Sequence, residues 1–324
     1  MACRFEVVID ATDAAWARAA AEEALAEVTL WHSRLNRFDK ASDIARINQF
    51  ARTRPVRVDG ELFELLSLCR RAVRATGGVF NPLLPTGGSA STAGADGAFV
   101  ATAGSVGLKR RTQPAMATPL VPSLLLDAAA GTVQFADLNA GSEVALDLGG
   151  IAKGWALDAA ADSLVQSGVR LALLHGGTSS VRAIGTPPAM TGWAIQIGDG
   201  SSSDAVAAGQ ERLILHLADE SLSISAHHGR PAGHIVHPAT GRVVHPDERA
   251  GPEMAVATCR SAAWAEVWST ALLLDPGLCA QGEQFAPQEQ ARFAAVRNTS
   301  AWNVCYGSKA GYNPAADSRL AATF

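Results

Sequence analysis

The amino-acid sequence predicts an α+β fold, and three observations favour this class. Segments with the period of amphipathic helices are mixed with short apolar segments typical of strands, without a regular strand–helix repeat. No internal sequence repeat is found. The 324 residues are 48% hydrophobic and 18% charged, which is the composition of a globular protein with a sizeable core.

Charge, cysteine usage and hydropathy exclude several classes of protein. The net charge of -4 and the lack of a basic tract argue against a nucleic-acid partner. The five cysteines are scattered and show no C-x-x-C, which argues against a disulfide framework and favours a reducing compartment. Residues 1–9 read as a strand and not as a signal peptide, and no apolar run reaches transmembrane length. We therefore expect a soluble, cytoplasmic protein without membrane insertion.

The first part of the chain is predicted to be largely helical. Residues 5–9 form a strand, and a helix capped by Thr12 or Asp13 runs to about Leu35. Its apolar residues at helical spacing are Ala21, Leu25, Val28 and Leu35. The next expected elements are a helical turn over 42–48 that buries Ile44 and Ile47, a strand over 56–58 and a helix over 61–75 that ends at Gly77-Gly78.

The rest of the chain alternates between strands and helices. Residues 86–106 are rich in Gly, Ala, Ser and Thr, so we expect a flexible insertion within one domain that spans 1–324. A hairpin over 124–127 and 132–137 follows, and the last residues, 312–324, are expected to be a loose tail. The remaining predicted strands are 171–174, 193–197, 213–217, 222–225, 294–296 and 302–305, and a helix is predicted over 262–274.

Residues 144–154 are a candidate anion site. An apolar run around Asp147 leads into Gly149-Gly150 and then into a helix predicted over 152–167. A glycine pair ahead of a helix N-terminus exposes N–H groups that suit phosphate. Lys153 in the first helical turn opposes the helix dipole, and a bound anion would explain it. The alternative is a tight turn with a solvated lysine, since the stretch matches neither the Walker loop nor G-x-G-x-x-G.

The helix predicted over 262–274 is a candidate metal site. Glu266 and Thr270 are four residues apart on one face, and Ser269 is three residues from Glu266. A carboxylate, hydroxyls and a nearby backbone carbonyl form an all-oxygen set, which suits Mg²⁺. The alternative is an ordinary polar stripe on an amphipathic helix.

Two further stretches leave more than one interpretation open. Five of the eight histidines fall within 227–245, and they are His227, His228, His234, His237 and His245. They are interpreted as a transition-metal site with His234 and His237 as the nearest pair, as a single proton acceptor, or as solvated loop residues. The turn over 78–82 either caps a helix with an apolar anchor or holds a ring system through an aromatic and an amide.

Taken in order, these stretches resemble the ApbE family, the FAD:protein FMN transferases. Residues 146–154 read L-D-L-G-G-I-A-K-G and match the family motif without a change. Residues 1–5 are similar to the family's M-G-T-x-F, residues 38–48 to S-x-I-x-R-L-N, and residues 77–82 to G-G-A-F-D-P. Residues 225–241 resemble S-G followed by H-I-I-D-P-x-T-G, and residues 265–271 resemble A-D-A-L-S-T-A. The resemblance covers nearly the full chain.

This resemblance implies a single large ApbE-like domain of mixed strands and helices with a cleft for FAD and Mg²⁺. FAD would be the substrate, and its FMN half would move to a Thr or Ser hydroxyl of an acceptor protein with release of AMP. The implied Mg²⁺ ligands are the Gly150 carbonyl, Glu266, Ser269 and Thr270. The implied FAD contacts are Met1, Val79, Phe80, Asn81, Asp147, Lys153 and Ile235, and His234 would accept the proton of the incoming hydroxyl.

Three departures from the family pattern indicate a divergent member. Glu266 stands where the family has a metal-binding Asp, His237 replaces an acid, and Asn81 replaces the Asp of F-D-P. The aromatic stretch expected after that turn is missing. Two alternatives therefore stay open, which are an FAD pyrophosphatase that yields FMN and AMP, and a non-catalytic flavin-binding protein.

Overall fold

The structure is a computed structural model. It describes residues 3–85, 123–136, 143–197, 213–226, 238, 252–281, 291–298 and 301–306. These residues form a mixed α+β fold, as predicted. The chain divides into two compact units. The large unit comprises Met1–Ser42, Leu148–Ala226 and Ala250–Phe324, and the small unit comprises Asp43–Asp147 and His227–Arg249.

The large unit is built on a seven-stranded antiparallel sheet. Its strand order is β1-β7-β8-β11-β12-β13-β14. The strands are β1 (Phe5–Ile9), β7 (Ala172–Gly176), β8 (Ser180–Ile184), β11 (Ser221–Ala226), β12 (Met254–Cys259), β13 (Ala291–Asn298) and β14 (Ala301–Tyr306). A separate antiparallel pair consists of β9 (Trp193–Ile197) and β10 (Leu213–Leu217). This pair shares a buried apolar cluster with the sheet, and that cluster includes Leu173, Val181, Leu222 and Val256.

Three α-helices and one short 3₁₀ helix complete the described part of the large unit. They are α1 (Ala14–Leu35), α4 (Ala152–Gln166), α5 (Ala262–Leu274) and the 3₁₀ helix Pro276–Gln281. Helix α5 packs on β11 and β12, α4 packs on α5, and α1 packs on α4. Every residue of α5 except Thr270 is buried. A helix that is apolar nearly all round is typical of such an interior position. Its two buried polar side chains, Glu266 and Ser269, therefore need partners inside the protein.

The described part of the small unit contains two helices and two small sheets. The helices are α2 (Asp43–Phe50) and α3 (Gly60–Ala75). One sheet has the order β2 (Val56–Arg57), β5 (Thr132–Ala136), β4 (Ser123–Asp127), and the other pairs β3 (Leu83–Pro85) with β6 (Val144–Leu146). Asn48 joins α2 to β6, since its side-chain amide donates to Leu146 O at 3.0 Å and accepts from Leu146 N at 2.6 Å.

Most elements predicted from periodicity are confirmed. Helix α5 has the predicted bounds, the hairpin of β4 and β5 is as expected, and β9 and β10 lie where strands were predicted and pair with each other. The predicted buried face of α1 is wrong in part, because Ala20 and Ala24 are buried whereas Ala21 and Leu25 are half-buried. Strands β3, β8 and β12 were not predicted. The expectations for 86–106 and 312–324 lie outside the described residues, and a single domain over 1–324 stays a prediction.

The expectation from the cysteines is wrong in one respect. Cys279 is disulfide-bonded, whereas Cys3, Cys69 and Cys259 carry thiols that form no disulfide. A disulfide depends on which Cβ atoms the fold brings within about 4 Å, and sequence spacing does not report this distance. Because disulfides persist mainly in oxidising environments, the cysteines no longer favour a reducing compartment. Within the described ranges, no helix combines the length and the hydropathy needed to cross a bilayer.

Gly154 provides a test of the α4–α5 packing. A Cβ at this position would lie 2.3 Å from Ala262 O and 2.6 Å from Ala263 N. We predict that Gly154→Ala lowers the free energy of unfolding by roughly 1–3 kcal/mol, despite the better helix propensity of Ala. The control is Gly60→Ala at the start of α3, where nothing lies within 4 Å of the added Cβ. Denaturant titrations that give equal stability for both variants would contradict this packing.

Candidate functional site

Lys153 and Glu266 form an ion pair between α4 and α5. The ammonium Nζ of Lys153 contacts Glu266 Oε1 and donates to Ser180 Oγ at 2.9 Å. Ser180 in β8 donates to the same Oε1 at 2.7 Å. The side chains of Lys153 and Glu266 are only 14% and 3% exposed. The anion that offsets the unfavourable place of Lys153 in the first turn of α4 is thus, in this structure, a carboxylate of the protein itself.

The second carboxylate oxygen of Glu266 has a different environment. Oε2 is buried and has no hydrogen-bond donor among the residues that the structure describes. A buried acceptor left unsatisfied costs on the order of 1–3 kcal/mol, and more for a charged group. Such an atom therefore indicates a position for a further cation or donor. Glu266 is the only side chain of α5 that carries a formal charge.

A cluster of four hydroxyl groups adjoins Glu266 along α5. Ser269 Oγ lies 3.0 Å from the Oγ atoms of both Ser223 and Ser225, and 3.2 Å from the carbonyl oxygen of Glu266. Thr270 Oγ1 lies 3.3 Å from Ser225 Oγ. The structure thus brings together three of the four predicted metal ligands, Glu266, Ser269 and Thr270.

The alternation of β11 explains why two serines meet α5. Successive side chains of a strand point to opposite faces. Leu222 and Ile224 pack in the apolar cluster shared with β9 and β10. Ser223 and Ser225 lie on the other face and contact α5. An ordinary polar stripe on an amphipathic helix therefore does not describe α5, because the helix is buried nearly all round and its polar residues meet the serines of the sheet.

Four residues that contact this site or support it were missed in the sequence. Ser180 lies at the start of β8, which was not predicted, and Ser223 and Ser225 lie on a predicted strand without an assigned role. The serine alternation over 221–225 was the available signal. Asp158 of α4 was also missed. Its carboxylate accepts hydrogen bonds from the N-terminus of α5, and no motif pointed to it.

The predicted flavin contacts of the small unit lie close together. The backbone N–H of Asp147 donates to Pro82 O at 2.8 Å, and β3 pairs with β6 just ahead of it. Phe80 is buried, and its N–H donates to Thr76 Oγ1 at 3.0 Å. The amide oxygen of buried Asn81 accepts from Leu83 N at 2.9 Å. Asn81 and Phe80 therefore stabilise the turn itself through local hydrogen bonds. This fits the interpretation of 78–82 as a helix end with an apolar anchor.

The other predicted site residues have separate outcomes. Gly150 is half-buried in the turn that leads into α4, three residues ahead of Lys153. Its role as a carbonyl ligand stays a prediction. Met1, His234 and Ile235 lie outside the described residues, and so do His227, His228, His237 and His245.

The comparisons with known proteins identify the family. The ApbE family model matches residues 1–296. The chain belongs to the ApbE family. Its fold is similar to that of the ApbE protein from Thermotoga maritima, with 20% identity, 93% of each chain covered and a TM-score of 0.67. It is also similar to the flavinyl transferase ApbE from Pseudomonas stutzeri, with 19% identity, 93% of this chain and 90% of that chain covered, and a TM-score of 0.65.

A third similar structure is the flavin transferase ApbE from Vibrio cholerae. It shares 18% identity, the match covers 94% of this chain and 93% of that chain, and the TM-score is 0.62. At such identities the likeness shows a shared fold. No protein with a curated functional description matches the sequence.

The donor set in this ApbE-family chain fits a hard divalent cation. The oxygen atoms come from the donor-free Glu266 Oε2 and from the hydroxyl groups of Ser225, Ser269 and Thr270. Oxygen ligands suit Mg²⁺, whereas zinc and other softer metals favour nitrogen and sulfur. In the part of the chain that is described, no three His, Cys, Asp or Glu residues cluster as candidate metal ligands.

The ion pair can be tested through stability in the absence of added metal. We predict that Lys153→Met lowers the free energy of unfolding by about 3–5 kcal/mol, because it leaves a buried carboxylate without its cation. Adding Glu266→Gln to this variant should restore much of the loss. Arg18→Met, which removes an exposed partner of Glu22, is the control and should cost less than about 1 kcal/mol. Denaturant titrations in which Lys153→Met behaves like Arg18→Met would show that the pair contributes little.

Proposed function

We propose that this chain is an Mg²⁺-dependent FAD:protein FMN transferase. It would move FMN from FAD to a Thr or Ser hydroxyl of an acceptor protein and release AMP. Membership of the ApbE family supports this proposal, as do the solved structures described as flavinyl or flavin transferases. The single observation that carries it is the buried carboxylate of Glu266, one oxygen of which has no hydrogen-bond donor among the described residues, on the helix that also carries Ser269 and Thr270.

Within this proposal, the residues around Glu266 hold the metal. Glu266, Ser269, Thr270 and the carbonyl of Gly150 would be its protein ligands. When bound, Mg²⁺ would neutralise charge on the diphosphate of FAD, which is the main electrostatic requirement of phosphoryl transfer. The carboxylate that would hold the metal is one methylene longer than the family's Asp, and it is held in place by α5, Lys153 and Ser180.

Lys153 would also bind substrate in the proposed reaction. Its ammonium group pairs with Glu266 in the structure, and a flexible lysine can offer its three N–H donors to more than one anion. We assign Lys153 to the diphosphate of FAD. The remaining proposed FAD contacts are Met1, Val79, Phe80, Asn81, Asp147 and Ile235.

The proposed transfer forms one bond to phosphorus and breaks another. The acceptor hydroxyl oxygen forms a bond to the phosphorus of the FMN half, and the bond from this phosphorus to the bridging oxygen breaks. AMP leaves with that oxygen, and His234 takes the proton of the hydroxyl, because an unperturbed imidazole has a pKa near working pH. In this reaction the protein contributes mainly orientation of the reactants and placement of charge.

Product analysis with FAD tests the proposal. We expect AMP and a flavinylated acceptor when FAD, Mg²⁺ and a Thr-containing acceptor protein are supplied, and a chelator should stop both. Glu266→Gln should lower the rate about 100-fold or more, because a neutral amide is a poor ligand for Mg²⁺. Glu22→Gln on the exposed face of α1 is the control and should leave the rate unchanged.

The alternative functions are separate outcomes of the same experiment. Equal amounts of AMP and free FMN, with no labelled acceptor, would identify an FAD pyrophosphatase. FAD binding without AMP under any metal would identify a non-catalytic flavin-binding protein. Either result would overturn the transferase proposal.

A further inference from the structure

Asp158 of α4 caps the N-terminus of a different helix, α5. It lies in the middle of α4, and its two carboxylate oxygens accept three hydrogen bonds from the start of α5. Ser261 Oγ donates to Oδ2 at 2.7 Å, Ala262 N donates to Oδ1 at 2.8 Å, and Ala263 N donates to Oδ2 at 3.0 Å. Asp158 thus satisfies N–H groups that the first turn of a helix cannot satisfy internally.

The cap coincides with the closest approach of the two helices. Gly154 precedes Asp158 by four residues, so both lie on one face of α4. The missing side chain of Gly154 lets the backbone of Ala262 come so near that an added Cβ would lie 2.3 Å from its carbonyl oxygen. Close contact at Gly154 and directional hydrogen bonds at Asp158 together define both the distance and the register of α4 against α5.

The carboxylate of Asp158 is itself supported from the sheet. Arg182 in β8 places its Nε 3.9 Å from Asp158 Oδ1. Burial raises the pKa of Asp158, whereas the hydrogen bonds from Ala262, Ala263 and Ser261 and the charge of Arg182 act in the opposite direction. The three donors hold the carboxylate in one orientation.

This crossing carries both members of the ion pair. Lys153 directly precedes Gly154 on α4, and Glu266 lies one helical turn after Ala262 on α5. We propose that Asp158 is a positioning residue that fixes the first turn of α5. It thereby holds Glu266 against Lys153 and keeps it in place together with the hydroxyl groups of Ser269 and Thr270 on the same helix. The part of this inference that concerns metal binding rests on the proposed function. Asp158 itself contacts neither Lys153 nor Glu266 through any hydrogen bond of the described residues.

The first experiment needs no metal. The full-length protein is treated with acetic anhydride, and mass spectrometry compares acetylation of Lys153, which is only 14% exposed, with that of the exposed Lys40 as an internal reference. In Asp158→Ala we expect acetylation of Lys153 to rise several-fold relative to Lys40. In Asp158→Asn, which keeps one acceptor oxygen, the rise should be smaller. Acetylation of Lys153 that is unchanged in Asp158→Ala would overturn the proposal.

A matched control separates positioning from a general loss of stability. Asp13 caps α1 in the same unit and accepts from Ala15 N and Trp16 N, both at 3.0 Å. Asp13→Ala should lower Tm but leave the acetylation of Lys153 as in the unsubstituted protein. All variants are compared at a temperature at which thermal unfolding shows them folded, and Asp158→Asn takes the place of Asp158→Ala if the latter does not fold. If Asp13→Ala exposes Lys153 equally, Asp158 has a merely structural role.

The second experiment measures Mg²⁺ affinity by calorimetry. A residue that orients a metal ligand typically changes affinity 10- to 100-fold when it is removed. We expect a Kd for Mg²⁺ that is about 10- to 100-fold higher in Asp158→Ala and unchanged in Asp13→Ala. If the unsubstituted protein binds no Mg²⁺ while Lys153 is still exposed by Asp158→Ala, the proposed function fails and the positioning role stands. If Mg²⁺ binds with equal Kd to Asp158→Ala and Asp13→Ala, the positioning role fails and the proposed function stands.

Discussion

The buried pair of Lys153 and Glu266 is the interaction on which the rest of the large unit depends. A carboxylate placed in a helix that is buried nearly all round has a large desolvation cost unless a cation and hydrogen-bond donors accompany it. Lys153 and Ser180 supply them to one oxygen. The other oxygen keeps its capacity to bind, and this asymmetry turns a structural ion pair into a candidate metal site.

The fold supports this pair from three directions. Strand β11 directs serine side chains toward α5, because the residues that alternate with them in β11 pack in the apolar cluster with β9 and β10. Helix α4 brings Lys153, and its Gly154 permits a close crossing with α5. Asp158 then fixes the first turn of α5. Each of these features is explained by local sequence, but only their combination places charged and polar groups around one buried carboxylate.

Local patterns predicted the helices well and the contacts poorly. The bounds of α5 were predicted from a long, largely apolar stretch, and in the structure Ser261 caps its first turn. Strand β8 was missed because only three residues separate it from β7, so that Gly177 and its neighbours read as one turn. Lys153 was recognised as a cation in need of an anion, but its partner Glu266 is 113 residues away and no short-range pattern reports such a contact. The order of several motifs, by contrast, predicted the family correctly.

We propose that the oxygen atoms around Glu266 bind a divalent cation together with the diphosphate of FAD. The most direct measurement is a crystal structure with FAD and Mn²⁺, which replaces Mg²⁺ and gives an anomalous signal. We expect an anomalous peak about 2.0–2.3 Å from a carboxylate oxygen of Glu266 and from Thr270 Oγ1, with Lys153 Nζ close to a phosphate oxygen of FAD. A peak elsewhere, or bound FAD with Glu266 still occupied by Lys153 alone, would contradict it.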